Sequence, residues 1–167
     1  MSTSADGWTH CDLGHRHWGL VGAAGLMVAQ VDHDGTTRVL LQHRSAQVQH
    51  GLSWGIPGGA LEHGESPEDG AFREAREELS GIPDGLIATD RLLDDHGGWS
   101  YTTVIARTSQ RFDPGTHGWE TGEEGYAWVT FEEADALPLH PGFAASWPRA
   151  RDRLTSAPPA PVDQASR

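Results

Sequence analysis

The chain carries a single cysteine, Cys11, among its 167 residues. No internal disulfide can form, and nothing in the composition asks for an oxidising compartment. Basic residues are scarce: 12 arginines and no lysine stand against 24 aspartates and glutamates, a formal charge of −12. A surface that acidic repels a phosphate backbone, which argues against a nucleic acid polymer as partner. A phosphate-bearing small molecule would need a cation to mediate its contact. Long apolar runs are missing too. The longest, Gly19 to Ala29, is too short and too rich in glycine to cross a bilayer. The opening residues, Met1 to Trp8, lack the basic-then-apolar pattern of a secretory signal. The expectation is a cytoplasmic protein without a membrane partner. No internal repeat is visible.

What remains is ordinary material for one folded domain, with 37% hydrophobic residues. Residues 1–16 read as an irregular polar lead-in, 17–155 as the domain, and the proline- and serine-rich 156–167 as a flexible tail. Two strands flank the turn signal His33-Asp34-Gly35 and predict a hairpin. Asp32 and Asp34 beside it lack the later glycine and closing glutamate of a calcium loop, so a plain turn is the better reading. Ser66-Pro67-Glu68-Asp69 predicts a helix start, with a capping serine, proline in the first position and acids in the first turn. Gly81 and Pro83 are expected to end that helix. Strands are expected around Arg91–Asp95, Trp99–Thr108 and Tyr126–Phe131. A last helix follows over residues 142–154, with Pro148 limiting where it can begin. The order predicts a mixed α/β (α+β) domain.

Charge is unevenly spread over that predicted first helix. With about 100° per residue and Glu74 at zero, Glu78 falls near +40° and Glu77 near −60°, so the three carboxylates share one sector. Ala71, Phe72, Ala75 and Leu79 fill another, the stripe that should face a core. Arg73 lies one turn before Glu77 and can pair with it. A solvated acidic face accounts for most such runs. Yet Glu74 and Glu78 repel each other at i,i+4 unless a counter-ion intervenes, and hard oxygen ligands select Mg²⁺ or Mn²⁺. The preceding Gly58-Gly59 can bring backbone close to the same ion and to phosphate oxygens.

These residues resemble a known signature. Gly59, Glu65, the run Arg73-Glu74-Ala75-Arg76-Glu77-Glu78 and the closing Gly81-Ile82 are similar in spacing to the Nudix box, with one extra residue before the final glycine. Flanking stretches such as "LLQHR", "GLSWGIPGGA" and "LPLHPGFAASWP" resemble the MutT-type branch that removes oxidised guanine nucleotides. The resemblance implies an α/β/α sandwich around a mixed sheet and Mg²⁺- or Mn²⁺-dependent hydrolysis of a nucleoside diphosphate linked to another group. It implies that Glu74 and Glu78 bind the ions, that Glu77 is a further or water-mediated ligand, and that the Gly59 carbonyl completes the shell. Arg73 would orient the glutamates and Glu65 would anchor the loop. Another acid before the last strand (Glu124 or Glu123, with Glu120 beside them) would join the catalytic set. Trp54, Gly58 and Arg44 are the candidates for substrate contact, and a homodimer is compatible with the family. ADP-ribose, dinucleoside polyphosphates or a non-catalytic sensing role are the competing readings. The intact glutamates favour catalysis over sensing.

Two further features need weighing. His10, Cys11, His15 and His17 have spacings that zinc coordination tolerates, but the four-cysteine ribbon of some Nudix enzymes is absent, and the reading that they bind nothing is preferred. Trp54, and Trp99 or Tyr101 after the box, could stack on a nucleobase or could simply fill the core.

Overall fold

Strand β3, Ala23–Val31, is buried along nearly its whole length. That is the pattern of a strand covered on both faces, and it makes β3 the spine of the molecule. The computed structural model describes residues 4–115 and 121–156. Within them β3 runs parallel to β8 (Ser100–Thr108) and antiparallel to β4 (Thr37–Arg44) and to the short β6 (Gly58–Ala60). Outward from these, β5 (Trp54–Gly55) and β9 (Thr121–Thr130) pair with β4, and β7 (Ala88–Asp95) pairs with β8. The sheet is therefore mixed.

Alternation along the strands sorts the core into two halves. Leu26, Val28 and Leu40 pack on one side with Ala71, Phe72 and Ala75 of helix α1 (Pro67–Glu78) and with Leu79, which caps it. Met27, Ala29, Val39 and Leu41 pack on the other with Phe143, Trp147, Ala150 and Leu154 of helix α3 (Pro141–Ser156). The expected α/β/α sandwich around a mixed sheet is thus the observed fold. The apolar stripe of the helical wheel is the buried face of α1. Its Leu79, 2% exposed, contributes about 1.5–3 kcal/mol by burial alone.

Helix α1 begins as expected, with the Ser66 hydroxyl accepting from the Asp69 amide at 3.1 Å and Pro67 in the first turn. It ends earlier than Gly81. Leu79 turns extended while its amide still reaches the Ala75 carbonyl. Burial of the Leu79 side chain against the sheet decides the exit, and Gly81 serves another purpose: its amide bonds the Pro114 carbonyl at 2.9 Å, in a space no Cβ could share. The β3–β4 hairpin closes as a plain turn, with Gly35 at φ 85°.

Three expectations fail. The lead-in is not irregular, because β1 (Trp8–His10) and β2 (Arg16–Trp18) pair as an antiparallel hairpin, and Cys11 is buried at its tip. Pro148 does not limit α3 but sits inside it. The helix forgoes one backbone hydrogen bond there, while its aromatic face stays packed on the sheet. The last strand starts at Thr121, and Phe131 opens a short helix α2 (Phe131–Ala136) behind a Thr130–Glu133 capping box. Of residues 156–167, read as the tail, Ser156 is the last residue of α3 and 157–167 lie outside the described residues. No helix among the described residues is long and apolar enough to cross a membrane.

His140 holds the start of α3: its Nδ1 accepts from the Gly142 amide at 3.1 Å and its carbonyl accepts from Ala144. Burial, then the Arg44 and His50 charges, pull its pKa from the ordinary 6.5 down to about 4. A proton on Nδ1 would also break the cap. The folded chain thus resists protonation that the unfolded chain accepts. The stability His140 contributes is complete above pH 6.5 and is lost as pH falls toward 4. His140→Asn, which keeps a capping side chain but cannot titrate, should lose less stability than wild type between pH 7 and pH 5 in urea unfolding. Equal losses would sink this account.

Candidate metal and phosphate site

The acidic helix meets the glycine turn through two carboxylates. Glu74 and Glu78 lie one turn apart on α1, and the fold sets them against Gly58 and Gly59 of β6. A Cβ on Gly59 would stand 2.5 Å from the Glu74 carboxylate. The missing side chain is what leaves room beside those oxygens for a ligand. A Cβ on Gly58 would strike the backbone of Ala24 and Gly25, because β3 and β6 approach too closely there for any side chain.

Glu78 is 7% exposed, and a carboxylate that buried needs donors. Gln42 of β4 supplies one, its Nε2 lying 2.6 Å from Glu78 Oε2, and the Gly58 amide supplies another at 3.2 Å to Oε1. Gln42 also bonds the Thr121 hydroxyl at 3.0 Å. Beneath the pair, the buried Tyr101 hydroxyl fills the space beside Gly25 and Gly58. Burial first, and the Glu78 charge second, push its phenol well above the ordinary value, so it remains protonated at neutral pH.

Arg73 organises the other half. Its guanidinium grips Glu65 with two bonds of 2.8 and 2.9 Å, holds Glu74 Oε1 at 2.7 Å, and donates to the Ala60 carbonyl at 2.9 Å. Its contact with Glu77, the partner expected from helical spacing, is the longest at 3.4 Å. The reason is geometric: the planar fork suits a carboxylate presented face on, and Glu65 offers that from the loop. The bidentate pair holds Glu65 below the usual carboxylate range and raises Arg73 above its own.

The remaining candidates separate. The Glu77 side chain is 60% exposed, at the rim of the pair. Glu123 is exposed on β9. Glu120 lies outside the described residues, as does the side chain of Glu124. Arg44 follows Gln42 on β4 and bonds the Gln49 carbonyl at 3.0 Å. Trp54, a candidate for substrate contact, is not exposed to a substrate. It is 6% exposed, packed in the core with its ring against His43, and bridged to the Pro138–His140 segment. Trp99 is equally unavailable, stacked on His17 and bonded to the Gly19 carbonyl. A flat aromatic with a buried N–H partner serves packing here, not a base. The Gly58 amide, expected toward substrate, is engaged by Glu78. Gln42 is the residue that sequence reasoning missed. It lies 36 positions from Glu78, and only its polar character inside an apolar strand hints at a task.

Glu74 and Glu78 present carboxylate oxygens beside the Gly59 turn, and oxygen donors of this kind suit a small hard cation better than zinc or copper. Arg73→Lys forfeits the paired grip on Glu65 and should cost about 1–3 kcal/mol in urea unfolding at pH 7. A change indistinguishable from zero would mean that the cluster is merely a surface ornament.

Known proteins share the sequence and the fold of this chain. The family model described as NUDIX domain matches residues 23–149. A Mycobacterium tuberculosis protein named "Putative 8-oxo-dGTP diphosphatase 3" is 41% identical over 165 residues, covering 95% of this chain and 75% of its own. The crystal structure of a Nudix hydrolase from M. smegmatis, RenU, superposes with a TM-score of 0.83 at 36% identity, covering 92% of this chain and 97% of that one. A C. elegans Ap4A hydrolase shares the fold with a TM-score of 0.63 at 21% identity, covering 82% and 99%. Members of this family generally use divalent cations. With the family model spanning most of its length, and the box glutamates gathered at the glycine turn, the chain belongs to the Nudix hydrolases.

Proposed function

We propose that this Nudix hydrolase cleaves nucleoside diphosphates linked to a further group, with guanine nucleoside di- and triphosphates, oxidised forms included, as its main substrates and the monophosphate as product. The observation that carries the reading is the pair Glu74 and Glu78, each fixed by its own donors against a glycine turn that has no side chain to block it. The name of the 41% identical M. tuberculosis relative supports the guanine nucleotide class.

Glu74, Glu78 and the Gly59 carbonyl would hold Mg²⁺ or Mn²⁺, with Glu77 contributing through water. Bound there, the cation supplies neutralisation of phosphate charge and a more acidic water. The protein's own part is positional. Gln42 and the Gly58 amide keep both Glu78 oxygens oriented. Arg73 keeps Glu74 aimed, while tying the glycine turn to the helix through the Ala60 carbonyl. Glu77, at the exposed rim, would take a proton from the water and pass it to solvent. Glu124 remains a further candidate for that task. Arg44 stands at the end of the same strand as Gln42, where a cationic group can meet substrate phosphate. The acidic chain, at −12, makes such a meeting dependent on the cation.

The test is a substrate panel with Mg²⁺: oxidised and normal dGTP and dGDP, ADP-ribose and diadenosine polyphosphates, with products identified. Oxidised guanine nucleotides should give the highest kcat/KM. Glu78→Gln should lower turnover at least about 100-fold with an unchanged unfolding midpoint, and Gln42→Ala about 10–100-fold. Near wild-type turnover in Glu78→Gln would remove the site. A preference for ADP-ribose or dinucleoside polyphosphate would remove the substrate assignment while leaving the site standing.

A further inference from the structure

Far from the box in sequence, four side chains converge where two turns meet. Cys11, His15 and His17 come from the β1–β2 hairpin, and His96 comes from the turn between β7 and β8. One donor atom from each lies within 4.8 Å of all the others. His10, the fourth member suggested by sequence spacing, is not in the group, and His96 takes its place.

The two turns are built to face each other. Gly14, at φ 82°, bonds back to the Cys11 carbonyl, and the Cys11 amide bonds the His15 carbonyl at 3.0 Å. Opposite, Gly97 and Gly98 both take positive φ, 73° and 70°, as a two-residue hairpin turn of the primed type requires. The His96 amide closes that turn on the Trp99 carbonyl, and the Asp12 amide bonds the Gly97 carbonyl at 2.8 Å, locking one turn to the other.

Donor availability is the second observation. His96 Nε2 lies 3.1 Å from Asp94 Oδ2, while its Nδ1 is buried without a hydrogen-bond partner. A proton on Nε2, held by the carboxylate, leaves the Nδ1 lone pair unused. This is the carboxylate–histidine arrangement that orients metal-bound imidazoles. His17 Nε2 is likewise buried and without a partner, its ring clamped flat on Trp99 at 3.8 Å. Cys11 is a buried, unpaired thiol. Orphaned polar atoms of this kind are rare in a packed protein. Here they share one small volume with a thiol.

We propose that Cys11, His15, His17 and His96 form a structural zinc site that staples the N-terminal hairpin to the β7–β8 turn. One thiolate and three imidazoles are a borderline-soft set suited to Zn²⁺, and four protein ligands leave no open position for catalysis. Donors around a tetrahedral zinc are about 3.3–3.6 Å apart, so small side-chain rotations close the gathered group onto an ion. On binding, the Cys11 S–H bond breaks and its proton passes to solvent as the S–Zn bond forms. The imidazoles enter neutral, and no oxidation state changes. Asp94 balances the remaining positive charge through His96. The site is independent of the box, whose oxygen donors prefer a harder ion.

The experiment uses the full chain with any affinity tag removed. After treatment with a strong chelator, the protein is titrated with zinc alone against a chromogenic competitor, and separately with Co²⁺. One zinc should bind per chain and raise the thermal midpoint. Co²⁺ should give tetrahedral visible bands with thiolate charge transfer. Cys11→Ser should weaken zinc binding at least about 100-fold, and Asp94→Asn, which leaves every ligand in place, about 10–100-fold. Substoichiometric zinc, a cobalt spectrum without thiolate charge transfer, or unchanged affinity in Cys11→Ser would overturn the proposal. Should Cys11→Ser not fold, the cobalt spectrum of the wild-type chain and the Asp94→Asn titration decide.

Discussion

One guanidinium carries the local architecture. Arg73 is tied at once to the loop through Glu65, to the glycine strand through the Ala60 carbonyl, and to the helix through Glu74. Without a cation at that point, Glu65, Glu74 and Glu77 would crowd one another in a chain already carrying excess negative charge. A lysine could neutralise them but could not divide five donors among three directions. The acidic cluster is therefore a framework with a built-in counter-ion, and it holds the carboxylates of Glu74 and Glu78 against the glycine turn.

That pair depends equally on close backbone packing. β3 and β6 meet at Gly25 and Gly58, where neither strand could carry a side chain, and the Tyr101 hydroxyl fills the gap below. The contact brings the Gly58 amide within reach of Glu78 and leaves Gly59 open beside Glu74. Burying Glu78 would be costly alone. It is tolerated because Gln42 projects from a neighbouring strand to satisfy it. Site and core are thus one object: the helix face that packs on the sheet also sets the reach of its glutamates.

Much of this was legible in order along the chain. Ser66 and Pro67 announce the helix, the wheel separates its apolar stripe from its acids, and the spacing from Gly59 to Glu78 names the family. These signals are local, because capping, periodicity and motif spacing involve residues within a few turns of each other. The misreadings share a cause. Trp54 beside the glycine pair looked available to a base, yet burial depends on α3 and the Pro138–His140 segment arriving from the far end of the chain. Pro148 looked like a boundary, yet the aromatic face of α3 packs well enough to retain a helix through it.

By itself, the order of residues determined the sandwich, the family and the helix that carries Glu74, Glu77 and Glu78. The helix follows from capping and periodicity, which are local, and the family and its sandwich follow from the resemblance that the spacing of the box carries. Only the tertiary structure decided that Glu78 is buried while Glu77 stays at the rim, that Gln42 is its donor, and that His96 rather than His10 joins Cys11, His15 and His17. Partner choice and burial are properties of segments brought together from distant positions, and the sheet register that brings them together is written in no short stretch of the sequence.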